Sequence, residues 1–462
     1  MDIQPQPFVP PHPTPRNRPP TSLELIRTSM RNPLEIWGEP SYRQPHISVR
    51  FLADNVLIAN PPELIRHILV DNVKNYRMAR VRQLILRPIL REGLLTAEGE
   101  VWKRSRKAMA PVFTPRHIHG FAEMMKARTE SFLDRYRDGA GKVHDVSTDM
   151  TQLTYEVLAY TLFSGDIAGD DTDFAEDVDR LLSTMGRVDP LDLLKAPEWL
   201  PRLQRLRGRP VLEKFRGIVR ATIDQRRTRM ATDPDGVPED FVTLLLNAEG
   251  PDGLSAAEIE DNLITFIGAG HETTARALGW TLYCLANAPH ERALVEEEID
   301  AVTADNPPPV EWLDRMPRTR AAFEEAMRLY PPAPSINREP MEDDTVTLKD
   351  GTRIDIPKGA TVLVMPWVLH RHQLYWEEPN AFMPSRFWPE NRDRIDRFQY
   401  LPFGAGPRIC IGATFALQEA VIALALILKE FRFEPTPGLN PWPVQKLTVQ
   451  AQNGLPMRVV RR

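Results

Sequence analysis

The chain has two cysteines, Cys284 and Cys410, and the second stands in surroundings unlike those of a core thiol. It lies in Phe403-Gly404-Ala405-Gly406-Pro407-Arg408-Ile409-Cys410-Ile411-Gly412. Glycine tolerates backbone conformations that other residues avoid, so Gly404, Gly406 and Gly412 let main-chain N–H groups close on the sulfur. Ala413 to Lys429, rich in Ala and Leu, reads as a helix whose positive N-terminal end also favours a thiolate. A thiolate in an apolar loop is a soft metal ligand or a nucleophile. The nucleophile reading needs a positioned base, and no sequence feature supplies one. Cys284, within Leu282 to Leu285, reads as a small apolar core residue.

Three further groupings have chemical potential. Ser255 and Glu258 form a capping box ahead of the stripe Ile259, Leu263, Phe266 and Ile267, and Pro289 marks the end of a helix of about 30 residues, some 45 Å long. Near its middle stand Gly268-Ala269-Gly270-His271-Glu272-Thr273-Thr274. Each glycine there costs about 1 kcal/mol relative to alanine, which close approach of a flat ligand would explain. An acid beside a hydroxyl, Glu272 with Thr273, can relay protons. Trp102 and Arg106 put an indole N–H and a guanidinium on one helical face, suited to a carboxylate. Glu325 and Arg328, at i and i+3, form an ion pair that the apolar, proline-stiffened Leu329-Tyr330-Pro331-Pro332-Ala333-Pro334 places in the interior. His370 and His372, read as i and i+2 on a strand, point to opposite faces and so do not chelate.

The elements carrying these groups are mostly helical. Residues 100 to 330 have helical periodicity, whereas short strands are read near 47–60, between 344 and 365, and at 447–449. Neither a repeat nor an internal linker divides the 462 residues. A net charge of -5 gives no hint of nucleic-acid binding, and two cysteines cannot build a disulfide framework, so a cytoplasmic setting is expected. The first twenty residues hold prolines at 5, 7, 10, 11, 13, 15, 19 and 20 and neither a signal sequence nor a membrane span. Residues 1–22 are therefore expected as an extended, polyproline-like arm rather than a packed element, and 23–462 as a single domain.

Taken in order, Trp102 with Arg106, Glu272 with Thr273, Glu325 with Arg328, Pro384-Ser385-Arg386-Phe387 and the Cys410 loop resemble the cytochrome P450 family of haem-thiolate monooxygenases. The likeness runs from about residue 40 to the C-terminus, and the loop fits the family's Phe-x-x-Gly-x-Arg-x-Cys-x-Gly pattern at every fixed position. The resemblance implies a mainly α fold with a smaller β-rich part, a triangular helical prism holding haem between the long oxygen-binding helix and the cysteine loop with its following helix. It implies Cys410 as axial ligand of haem b iron, with Trp102, Arg106, Arg338 and Arg408 near the propionates. Ala269 and Gly412 would border the haem, and Phe403 would shield the sulfur. Glu325, Arg328 and Arg386 would lock the haem-binding core. Glu272 and Thr273 would be the acid-alcohol pair that delivers protons to bound O2.

The same resemblance places Ile89, Leu90, Phe266, Ala269, Ala333, Ser335, Ile336 and Leu447 around the substrate. They are mostly apolar, so a fatty acid, terpenoid, steroid or hydrophobic aromatic is expected, to be hydroxylated or epoxidised. The basic segment Arg77, Arg80, Arg82, Arg87 and Arg91 is either a carboxylate anchor at the entrance or a solvated face. No flavin or iron-sulfur region follows Cys410, so NAD(P)H electrons are expected only indirectly, through a ferredoxin or flavodoxin and its reductase. Lys103, Arg104 and Lys107 would steer such an acidic partner. A soluble monomer without a membrane anchor is expected. A haem sensor without turnover and a peroxide-driven or non-oxygenase member are the other readings, and both are disfavoured by the intact Glu272-Thr273 pair.

Overall fold

The capping box forms as expected. Ser255 Oγ accepts from the Glu258 N–H at 3.2 Å while Glu258 Oε2 accepts from the Ser255 N–H at 2.7 Å, opening the helix Ala256–Asn287. The computed structural model describes residues 6–51, 54–167, 189–193, 196, 200 and 202–462, and this long helix is its axis. It is buried over most of its circumference, with Val146–Leu162, Pro317–Leu329, Leu203–Thr232 and Ala413–Glu430 packed around it. The helix stops at Asn287 because Ala288 precedes Pro289, which opens Pro289–Ala304 instead.

Gly270 answers a packing need. A Cβ there would lie 2.7 Å from Leu158 Cδ1, so its small size lets Val146–Leu162 approach the long helix. The glycine thus makes room for protein on one side, and Gly268 and Gly270 also border the interior cavity.

The β-rich part is a five-stranded sheet in the order His46–Phe51, Asp54–Ala59, Thr361–Val364, Ile336–Pro340, Tyr76–Met78. Only the pair Asp54–Ala59 and Thr361–Val364 is parallel. Arg338 sits across from Met78 on one side and Val362 on the other, which sets its depth in the sheet. The hairpin Pro443–Gln445 and Val449–Ala451 reaches back to the long helix.

Two expectations change. The N-terminal arm is extended but packed: the Phe8 carbonyl accepts from the Phe382 N–H at 2.8 Å, the Tyr330 hydroxyl donates to the Pro11 carbonyl at 2.7 Å, and Phe8 meets Tyr283 edge-on. Prolines that cannot donate still offer carbonyls, and the arm uses them as acceptors. His370 and His372 lie in the turn after Pro366–Leu369, not on a strand, and both are buried. Each is occupied separately: His370 Nε2 accepts from the Leu401 N–H at 2.9 Å, and His372 Nε2 lies 2.9 Å from the Gln44 carbonyl. No His, Cys, Asp and Glu grouping suited to a metal ion occurs among the described residues, and no described helix is long and apolar enough to cross a membrane.

Candidate active site

One cavity of about 340 Å³ brings most of the chemically suggestive residues together. Its floor is the Cys410 loop. Gly404 and Gly406 take φ of +74° and +73°, the left-handed region that glycine enters freely. The loop then closes through the Cys410 N–H donating to the Phe403 carbonyl at 2.9 Å and the Ile409 N–H to the Gly406 carbonyl at 3.0 Å. A Cβ on Gly406 would sit 2.0 Å from the Leu69 carbonyl oxygen, a backbone atom with little freedom to move. Gly406→Ala is therefore expected to lower the stability read from urea unfolding by more than the ~1–2 kcal/mol of the left-handed backbone alone. Gly438→Ala is the control, with φ +78° and open space around its Cβ; equal losses in the two variants would show that the Leu69 contact has no effect.

Cys410 faces the cavity with its side chain accessible, whereas Cys284 is buried in the core as expected. Burial pushes the Cys410 thiol up, against the Gly412 N–H and the Arg106 guanidinium, which pull it down. The loop's donors thus act toward thiolate, as expected, and a cation bound to the sulfur would add to them against desolvation.

The wall beside the loop is cationic. Arg338 is 8% exposed, donates to the Asn337 carbonyl, and forms no ion pair among the described residues. Burial, then the nearby charges of Arg82 and Arg408, lowers it to about 10. Arg408 donates to the Ala97 carbonyl, pairs with Glu98, and lies 4.9 Å above the Trp102 ring. Arg106 donates to the Ile409 carbonyl at 3.0 Å. Arg82 donates to the Ser335 carbonyl at 2.8 Å and is depressed by burial. A buried guanidinium without a carboxylate, beside two others, calls for an anion. The donor set of a soft sulfur ligand, this cationic wall and the Trp102 indole fits an iron porphyrin bearing two carboxylates.

Across the cavity is the long helix. Ala269 is exposed toward the space, and the Thr273 hydroxyl donates to its carbonyl at 3.0 Å. Glu272 is 1% exposed, and its Oε1 accepts from Thr448 Oγ1 at 2.6 Å and Gln450 Nε2 at 2.9 Å. The acid and the alcohol are adjacent in sequence, but each is bonded elsewhere.

Of the residues expected around the substrate, Leu90, Phe266, Ala269, Ala333, Ser335, Ile336 and Leu447 line the cavity. Ile89 does not. It is fully buried in the core, and its carbonyl accepts from Arg216 Nη2 at 2.8 Å. Adjacent helical positions differ by about 100°, so the face that presents Leu90 turns Ile89 away. The reading missed Phe113, Thr265, Leu94, Leu95 and Thr448; the Phe113 and Phe266 rings lie 5.3 Å apart. The basic segment divides: Arg77 pairs with Glu339, Arg87 with Glu92, and only Arg82 borders the cavity. Of the expected basic patch, Lys103 pairs with Glu100 and Arg104 with Glu258, while Lys107 is exposed.

Glu325 and Arg328 are both fully buried and joined by two hydrogen bonds of 2.7 Å. Arg328 also donates to the carbonyls of His370, Pro379 and Ala381, and Arg386 Nε lies 3.5 Å from Glu325 Oε1. The network ties Pro317–Leu329 to the segment leading into the Cys410 loop.

The family model for cytochrome P450 matches residues 37–457. The chain is 32% identical to cyclooctatin synthase of Streptomyces melanosporofaciens, over 90% of each chain. It is 29% identical to cytokinin hydroxylase of Arabidopsis thaliana, over 85% of this chain and 76% of that one. The crystal structure of a cytochrome P450 (CYP102L1) superposes with a TM-score of 0.76 at 26% identity, covering 98% of this chain and 100% of the other. The chain belongs to the cytochrome P450 family, which the order of its five sequence bands had implied. It is accordingly a haem b monooxygenase that uses O2, receives electrons from a redox partner and acts on a lipophilic substrate.

Proposed function

We propose that the chain hydroxylates or epoxidises an uncharged, lipophilic small molecule, terpenoid or steroid in kind. The observation that carries this is the distribution of charge around the cavity. Arg82, Arg106, Arg338 and Arg408 face Glu98 and the sulfur of Cys410. The two propionates of haem b would be held by this cationic wall. The rest of the lining is largely apolar, so desolvation drives binding. That distribution favours an uncharged substrate over a fatty acid and supports Arg82 as a propionate partner.

Cys410 would hold the iron, with Arg106 and the Gly412 N–H moderating the charge on sulfur. Arg82, Arg338, Arg408, Arg106 and Trp102 would hold the propionates. The haem, when bound, supplies the chemistry that activates O2 for insertion into a C–H bond. Thr273 would hold a proton at the distal face and Glu272 would replenish it, roles supported by their place on the helix opposite Cys410. Glu325, Arg328 and Arg386 would act structurally, keeping the loop in register. Residues 23–462 would serve as one haem-binding unit with the N-terminal arm packed on it. Lys107 and Lys103, on the Trp102 helix, would meet an acidic ferredoxin or flavodoxin, and the setting would be cytoplasmic, with the chain a monomer.

The experiment is a binding screen of neutral terpenoids and steroids by ferric absorbance shift, followed by turnover of the best ligand. Thr273→Ala should keep haem and substrate affinity within about two-fold and divert most reducing equivalents to hydrogen peroxide. Full coupling in that variant would contradict the relay, and tighter binding of carboxylic acids than of their esters would contradict the uncharged substrate.

A further inference from the structure

Glu272 is held by the element that also touches the substrate space. Thr448, in the bend before the strand Val449–Ala451, and Gln450, within it, both donate to Glu272 Oε1. Arg276 lies 3.8 Å from the same oxygen and is fixed from behind by Ser147 Oγ at 3.0 Å and Thr151 Oγ1 at 3.4 Å. The turn before Thr448 carries Leu447, which lines the cavity, and is closed by the Lys446 N–H donating to the Thr448 carbonyl at 3.0 Å. The next residue donates its N–H to the Pro332 carbonyl at 3.2 Å, beside the cavity-lining Ala333. On the other side, the Thr273 hydroxyl is satisfied by the Ala269 carbonyl rather than by Glu272.

We propose that Thr448 and Gln450 form a latch that holds the Glu272 carboxylate in a resting position away from Thr273, and that substrate packed against Leu447 shifts the hairpin and releases it. Thr448 and Gln450 are positioning residues, and the inference rests on Glu272 supplying protons as proposed above. Hydrogen bonds to a charged group are among the stronger ones in proteins, so two of them suffice to bias a side chain between positions. The consequence is that protons are withheld from reduced O2 while the cavity lacks substrate, which suppresses the wasteful reaction of O2 with two electrons and two protons to hydrogen peroxide.

The test uses the haem-loaded enzyme with its redox partner and measures reductant consumption without substrate, then product per reductant with it. Alongside, the infrared difference between substrate-bound and substrate-free ferric protein should show a carboxylate band that moves in wild type and is absent in Glu272→Gln, and no such movement would overturn the latch. Thr448→Val and Gln450→Leu should each raise substrate-free consumption roughly ten-fold, the scale of one hydrogen bond to a charged group, and lower product per reductant. Thr448→Ser, which keeps the hydroxyl, should restore the wild-type ratio. Adding Glu272→Gln to Thr448→Val should return substrate-free consumption to the wild-type level, an interaction that loss of packing would not produce. Unchanged substrate-free consumption in both latch variants, with Glu272→Gln alone slowing turnover, would overturn the latch and leave the role of Glu272 intact. Unchanged turnover in Glu272→Gln alone would overturn that role, and the latch with it.

Discussion

Arg328→Leu is expected to leave little folded, haem-loaded protein. The guanidinium is fully buried and occupied on every side, by both carboxylate oxygens of Glu325 and by the carbonyls of His370, Pro379 and Ala381. Leucine fills part of the volume but strands a buried carboxylate, a change that costs about 3–5 kcal/mol. The three carbonyls lose their donor as well, each at roughly 1–3 kcal/mol where water cannot replace it. Total stability of a domain is about 5–15 kcal/mol, so the sum is comparable to all of it. Glu325→Gln is expected to be milder, because the amide oxygen still accepts from Arg328 or from the Met383 N–H that Glu325 now bonds at 2.9 Å. Urea unfolding followed by both haem absorbance and far-UV dichroism checks this. A midpoint for Arg328→Leu within 1 M of wild type, an allowance set by denaturant slopes of about 1–3 kcal/mol per molar or more, would contradict it.

Cys410→Ser is expected to abolish turnover while sparing the fold. Serine keeps the small size and the Gly412 N–H contact, but replaces a soft, electron-rich sulfur with a hard oxygen that binds iron weakly and does not favour O–O cleavage. The cationic wall is untouched, so a porphyrin should still enter, with affinity reduced. Product formation should fall to background, and the unfolding midpoint of the protein without haem should match wild type, since a cavity-facing thiol contributes little packing. Turnover within ten-fold of wild type would remove Cys410 from the chemistry.

The legibility of these residues in the sequence follows from how local their roles are. The Cys410 loop, the capping box at Ser255 and the Glu325-Arg328 pair are built from neighbours within one turn or one loop, so their spacing alone carries the signal. Arg82 and Arg338 are different. One sits in a run of arginines and the other in a strand, and only the sheet register that sets Arg338 against Met78 and Val362 brings them to one wall. Ile89 and Leu90 show the limit of a residue list on a helix: adjacent apolar residues cannot share a face, and the choice depends on where Arg216 anchors the Ile89 carbonyl. Gly270 reads as room for a ligand, and what the sequence does not show is that it also makes room for Leu158, more than a hundred residues earlier. Thr448 and Gln450 did leave a trace, two polar residues at strand spacing beside Leu447, but their partner is on a helix far away in sequence. The N-terminal prolines announced an extended conformation without revealing that Tyr330 and Phe382 would bind its carbonyls.

The most direct measurement is the absorption spectrum of the reduced, carbon monoxide-bound protein, recorded for wild type and Cys410→Ser after loading with haem. A sulfur ligand shifts the main band far to the red of that given by nitrogen or oxygen ligands. Wild type should show the shifted band in nearly all of its haem, and Cys410→Ser should show none of it. The same unshifted band in both proteins would mean that Cys410 does not hold the iron, and the arrangement built around it would have to be abandoned.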